Sequence, residues 1–175
     1  HYLLGLSATA FRSDEETTKL IYYFMGDCLH RVDRDELKST GAILAPQVIR
    51  TPTAFTYRYR GDYQALIKAL VQHEGRNLQI LGDIIKVVGE GEGGTVLVVS
   101  DRISHCRFFV EKLQGRGVKA ALLYGGISAD ERNAVVASVR NGEIAVLVAT
   151  LQLIGEGFDC PGLSTLFLTT PISFE

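Results

Sequence analysis

Residues 144–149 read IAVLVA, an unbroken apolar run that ends on the hydroxyl of Thr150. A run without alternation has no polar face to turn to water. It therefore predicts a strand buried on both sides, as in a parallel sheet covered by helices. Beyond it the chain opens into a loop carrying Gly155, Glu156, Gly157 and Asp159. In open α/β sheets, ligands sit past the carboxyl ends of the strands. Chain direction alone thus puts Thr150, Glu156, Gly157 and Asp159 at a candidate functional site, and their chemistry suits phosphate, ribose and main-chain contacts.

The rest of the C-terminal half repeats this alternation. Thr95–Ser100 (TVLVVS) predicts a second buried strand, and 101–114 a helix with Ile103, Cys106, Phe109, Val110 and Leu113 at helical spacing. Gly115 to Gly117 should end that helix. Lys119–Tyr124 reads as a strand, Gly125-Gly126 as a turn, and Ser128 with Glu131 as a capping box opening a helix to about Arg140. Thr165–Thr169 completes four strands. Strands alternating with helices of this length imply right-handed crossovers and a parallel sheet with helices on both faces, an α/β three-layer fold.

Upstream, 62–74 and 77–88 predict amphipathic helices lined by Leu66, Ile67, Leu70 and Val71 and by Leu81, Ile84, Ile85 and Val88. The glycine-rich GEGEGG at 89–94 precedes a strand, whereas a phosphate-binding glycine motif follows one, so it reads as a connector. In 26–60, Arg34–Thr40 predicts a short helix, and Gln47–Arg50 and Phe55–Arg58 predict edge strands interrupted by Pro46 and Pro52. Asp14, Glu15 and Glu16 suit the exposed first turn of a helix.

Composition narrows the function. A net charge of −2 gives no broad basic field, so nucleic-acid binding would have to rest on local contacts. Cys28, Cys106 and Cys160 are scattered and odd in number, matching neither a disulfide framework nor a zinc pattern and favouring a reducing cytoplasm. No signal peptide or apolar membrane span is evident. His105 beside Cys106 points away from it on a helix, which argues against a metal site or catalytic dyad. His1–Thr9 reads as a strand already in progress and the chain ends just after another, so a longer parent is expected.

Three turns carry the candidate chemistry. Ser7 and Thr9 in GLSATAFR offer small hydroxyls past a strand. The same stretch is one glycine short of a serine-hydrolase nucleophile elbow, and the last histidine, His105, falls too early for that fold. Ser100, Asp101 and Arg102 follow one strand, and Arg102 could grip a phosphate with two N–H groups. Gly125 and Gly126 precede a capped helix, where amides and the helix dipole can face an anion.

In order, these segments resemble the motifs of superfamily 2 helicases, which are built from two RecA-like lobes of P-loop NTPase fold. GLSATAFR resembles motif III, TVLVVSDR motif IV, YGGISADER the segment called IVa, and VLVATLQLIGEGFD motif V. The likeness is nearest the branch of type III restriction subunits and DNA-repair helicases. It implies that 1–25 ends a first RecA-like domain, that 26–60 is an interdomain segment and that 61–175 is a second RecA-like domain stopping before motif VI. It further implies that Ser7, Ala8 and Thr9 couple the nucleotide site to strand movement. Ser100, Arg102, Gly125, Gly126 and Thr150 would hold the sugar-phosphate backbone. Gly157 and Asp159 would face the nucleotide.

Ala10 departs from the pattern, standing where the family usually has Pro. Walker A, the Mg-binding acids and the motif VI arginine finger would lie in the parent, so ATP and Mg would serve the parent and this segment alone is expected to be inactive. The implied partners are DNA, with RNA also open, and the first lobe; no membrane partner is expected. Two other readings remain at this level: a non-catalytic binding module that reuses the lobe, and an unrelated nucleotide-binding α/β enzyme.

Overall fold

Four parallel strands lie in the order β2-β3-β1-β4: β1 Thr95–Ser100, β2 Ala120–Leu123, β3 Val146–Thr150 and β4 Leu163–Leu168. The computed structural model describes residues 5–6, 14–41, 43, 45–91, 93–155 and 162–172. β1 and β3, the two apolar runs, are buried along their whole length at the centre of the sheet. β4 lies at the outside and alternates, with Leu166 and Leu168 exposed.

The strand order explains where the helices go. From β1 the chain steps past β3 to β2, then returns through β3 and on past β1 to β4. Crossovers of one hand that step in opposite directions must pass over opposite faces. The packing agrees. Helix α4 (Glu74–Glu90) and helix α5 (Ile103–Gln114) cover the face of Val96, Val98, Val146 and Val148. Helix α6 (Ala129–Arg140) and the short α7 (Leu151–Gly155) lie on the face of Leu97, Val99, Leu147 and Ala149. Cys106 fastens α5 to the sheet, its thiol donating to the Ala149 carbonyl at 3.4 Å, and burial raises its pKa to about 11.

Helix α3 (Tyr63–Gln72) precedes α4, and the single residue His73 ends the first helix and caps the second through Nδ1, which accepts from Arg76 N at 3.0 Å. Gly91, in the left-handed conformation, closes α4. Gly94 has φ +92°, and a Cβ there would lie 2.8 Å from the Gly162 carbonyl, so the glycine lets the chain enter β1 close beside β4.

The chain divides into two compact units, residues 52–173 and residues 1–51 with 174–175. The smaller holds α1 (Glu15–Met25) and α2 (Arg34–Ser39). Asp14 caps α1, its carboxylate accepting from Glu16 N and Thr17 N at 2.9 Å. The edge strands expected at Gln47–Arg50 and Phe55–Arg58 do not form. Pro46 and Pro52 lack the N–H that a ladder needs, and Phe55 instead stacks with Tyr57 and meets His73 edge-on. Among the described residues no helix is long and apolar enough to cross a membrane, and no cluster of His, Cys, Asp or Glu could hold a metal ion.

Candidate nucleic-acid interface

Ser100 and Thr150 are register partners at the carboxyl ends of β1 and β3. From this pair the chain diverges, into α5 on one face and α7 on the other. Such a divergence between neighbouring strands is the topological switch point at which open α/β sheets form a crevice. Leu123 pairs with Ala149, so the turn carrying Gly125 and Gly126 leaves the same end of the sheet. Ser100, Arg102, Gly125, Gly126 and Thr150 therefore share one end. Ser7, Ala8, Thr9, Gly157 and Asp159 lie outside the described residues.

The β1–α5 turn is held from beneath by a buried chain of hydrogen bonds. Asn77 Nδ2 donates to the Val71 carbonyl at 2.7 Å, which leaves Asn77 Oδ1 to accept from His105 Nε2 at 3.0 Å. With its proton on Nε2, the neutral imidazole can only accept at Nδ1, so the Ser100 hydroxyl donates to it at 2.9 Å. Ser100 Oγ in turn accepts from the Arg102 amide at 3.3 Å. On the β4 side, the Thr170 hydroxyl accepts from the Asp101 amide at 2.9 Å. Two successive amides of the turn are thus fixed by side-chain hydroxyls, Asp101 N by Thr170 from beyond β4 and Arg102 N by Ser100 at the end of β1.

This layer keeps His105 neutral. Burial is the main cause that lowers the His105 pKa to about 4, with the nearby Arg76 guanidinium adding to it. Arg76 Nη2 donates to the Thr169 carbonyl at 2.6 Å, while buried Nη1 has no partner among the described residues. Burial also lowers the Arg76 pKa. A second cation beside it at His105 would be costly.

The expected contact residues are unequally available. Ser100 is fully buried with its hydroxyl engaged, so its role here is to orient the Arg102 amide. The Arg102 side chain is partly exposed. Its Nη2 donates to Gln64 Oε1 on α3, and its Nε lies 3.5 Å from Asp101 Oδ2. A cleft of about 580 Å³ adjoins it between α3 and α5. Thr150 is 7% exposed at the end of β3.

The two glycines differ. A Cβ on Gly126 would come within 2.7 Å of the Tyr124 ring, whereas one on Gly125 would meet nothing within 4 Å. Neither has positive φ. A side chain at Gly126 would thus have to shift the Tyr124 ring, while the fold leaves Gly125 free to be larger. The absence of a side chain at Gly125 suits an approaching ligand. Ser128, just beyond, forms the expected capping box with Glu131, whose pKa is lowered by its bonds to Ser128.

Sequence reasoning passed over Asn77, Arg76 and the part played by His105. A signal was present: Asn77 occupies the stripe of Leu81 and Ile84, and His105 that of Phe109 and Leu113. Polar side chains on buried stripes require partners.

Residues 76–172 match the family described as helicase conserved C-terminal domain. Over 125 residues the chain is 31% identical to the pre-mRNA-splicing ATP-dependent RNA helicase prp28 of Aspergillus niger, covering 69% of this chain and 15% of that protein. It is 26% identical over 122 residues to prp-28 of Neurospora crassa, covering 69% and 17%. The chain therefore spans about one-sixth of the length of these curated relatives. Among solved structures it resembles T4 UvsW, with a TM-score of 0.52 and 20% identity over 63% of this chain and 22% of that one. It also resembles the Pyrococcus furiosus Hef helicase domain, with a TM-score of 0.51 and 22% identity over 62% and 24%. With its RecA-like parallel sheet, the chain belongs to the helicase conserved C-terminal domain family, as the C-terminal lobe of a superfamily 2 helicase.

Proposed function

We propose that this lobe grips the backbone of a single nucleic-acid strand within an ATP-dependent helicase, and that the strand is RNA. The observation that carries the reading is the shared carboxyl end of β1, β2 and β3, where Arg102, Gly125 and Thr150 leave neighbouring strands. Arg102 supplies a guanidinium for phosphate, and Gly125 lets the backbone approach closely. Ser100 acts through the Arg102 amide, and Gly126 through its fit beneath Tyr124. RNA is favoured over the DNA that the sequence suggests because the named curated relatives are RNA helicases. The type III restriction and DNA-repair branch is the second reading, carried by the motif resemblance.

In the parent, ATP with Mg would supply the hydrolysis that drives closure of the two lobes. Gly157 and Asp159 are proposed to face that nucleotide, and Ser7, Ala8 and Thr9 to couple it to strand movement. The domain limits 1–25, 26–60 and 61–175 belong to the same proposal. Family membership removes the unrelated α/β enzyme from consideration and leaves a non-catalytic module as the alternative for the parent.

Anisotropy titrations of the 175-residue chain with labelled U12 and dT12 test the reading. The expected result is salt-sensitive binding favouring U12, weakened in Arg102→Ala and Gly125→Val. Loss of one phosphate contact should lower the salt slope by about 0.7. Stronger binding of dT12 would restore the DNA branch. Equal binding by wild type and both variants would overturn the interface. No ATP hydrolysis is expected from this chain alone.

A further inference from the structure

The cleft beside Arg102 is lined by Gln64, Lys68 and Gln72 along one stripe of α3, faced by Arg102 and Phe108. Helix α3 ends before residue 76, where the family match begins. A volume of about 580 Å³ falls within the range of roughly 300–1,000 Å³ typical of ligand clefts. Two cations and no carboxylate line it, in a chain whose net charge is −2. Asp101 offsets part of the Arg102 charge from outside the lining, which leaves Lys68 as the stronger attraction for an anion. The wall also offers apolar surface from Phe108 and Val71, and the Lys112 ammonium sits 5.9 Å from the Phe108 ring centroid.

We propose that this cleft holds one nucleotide unit of the bound single strand, with its phosphate between Lys68 and Arg102 and its base against Phe108 and Val71. The Gln64 and Gln72 amides, each both donor and acceptor, face the polar edges of the base. The Gln64–Arg102 hydrogen bond gives way as phosphate takes the guanidinium. The proposal rests on the reading that the strand passes Arg102. It extends the track from the carboxyl end of the sheet onto α3.

The test uses the full chain with labelled U12 across a salt series, comparing wild type, Lys68→Ala, Phe108→Leu and Gly125→Val. Lys68→Ala should lower the slope of log K against log salt by about 0.7. Loss of base stacking in Phe108→Leu should weaken binding about 5- to 160-fold. Lys68 is exposed, so Lys68→Ala decides the question if Phe108→Leu proves misfolded by circular dichroism. A 5-iodouridine version of the strand should crosslink within 63–72 or 103–114.

If Gly125→Val weakens binding while Lys68→Ala and a folded Phe108→Leu match wild type, the cleft proposal fails and the interface stands. If wild type does not bind, both fail. Full competition by equimolar uridine monophosphate would overturn assignment of the cleft to a strand.

Discussion

His105 Nε2 lies 3.0 Å from Asn77 Oδ1, so a proton on α5 is held by an amide on α4 beneath the turn that presents Arg102. Asn77 is 3% exposed and His105 2%, so neither group can turn to water if its partner is removed. Asn77→Ala should therefore strand the His105 N–H and remove the donor to the carbonyl of half-buried Val71. The expected loss is about 1–3 kcal/mol per stranded group, read as a lower urea midpoint. An unchanged midpoint would mean that the bond contributes nothing to the fold.

Burial of His105, with Arg76 nearby, fixes a pH dependence. His105 titrates near 4 in the folded chain, against an ordinary 6.5. Between those values the unfolded chain takes up a proton that the folded chain refuses. Its contribution is full above about pH 6.5 and is lost progressively as pH falls toward 4. The drop from pH 7.5 to pH 5 should be about 2 kcal/mol. Urea titrations at the two values measure it, and His105→Gln should flatten the difference.

Gly125 and Gly126 should separate binding from folding. Gly125→Ala has open space and ordinary φ, so stability should stay within about 0.5 kcal/mol of wild type. Gly126→Ala must displace the Tyr124 ring, which Arg107 overlies at 5.8 Å. A lower melting temperature is expected there, and Tyr124→Ala should relieve it in a double-mutant cycle.

Ser128→Ala removes the side-chain acceptor for Glu131 N, at 3.2 Å, and should cost about 1 kcal/mol by thermal melting. Because α6 packs on the sheet mainly through Val139, near its far end, the loss should appear first as faster amide exchange in its opening turn.

The sequence made some of these features plain and concealed others. The apolar runs of β1 and β3 announced central parallel strands, and Ser128 with Glu131 announced a helix start, because each signal is local and periodic. That Ser100 and Thr150 share one end of the sheet followed from strand direction, whereas their pairing across β1 and β3 did not. The support beneath it could not be read in the same way. Ser100 meets His105 five residues on, His105 meets Asn77 28 residues away, and Arg76 meets Thr169 93 residues away. Such pairings depend on which helices share a face. Residues 45–60 misled for the opposite reason: short β-prone stretches look like strands, but with prolines at 46 and 52 they have no ladder to join.

The single-residue joint at His73 has a mechanical consequence. A connector of one residue has no slack, and α3, about 15 Å long at 1.5 Å per residue, is bound to α4 like a handle to a shaft. A tug on the outer helix must reach the hydrophobic layer beneath α4 as torque. Lengthening the joint with two glycines would uncouple them, leaving a lobe that still folds but yields under load.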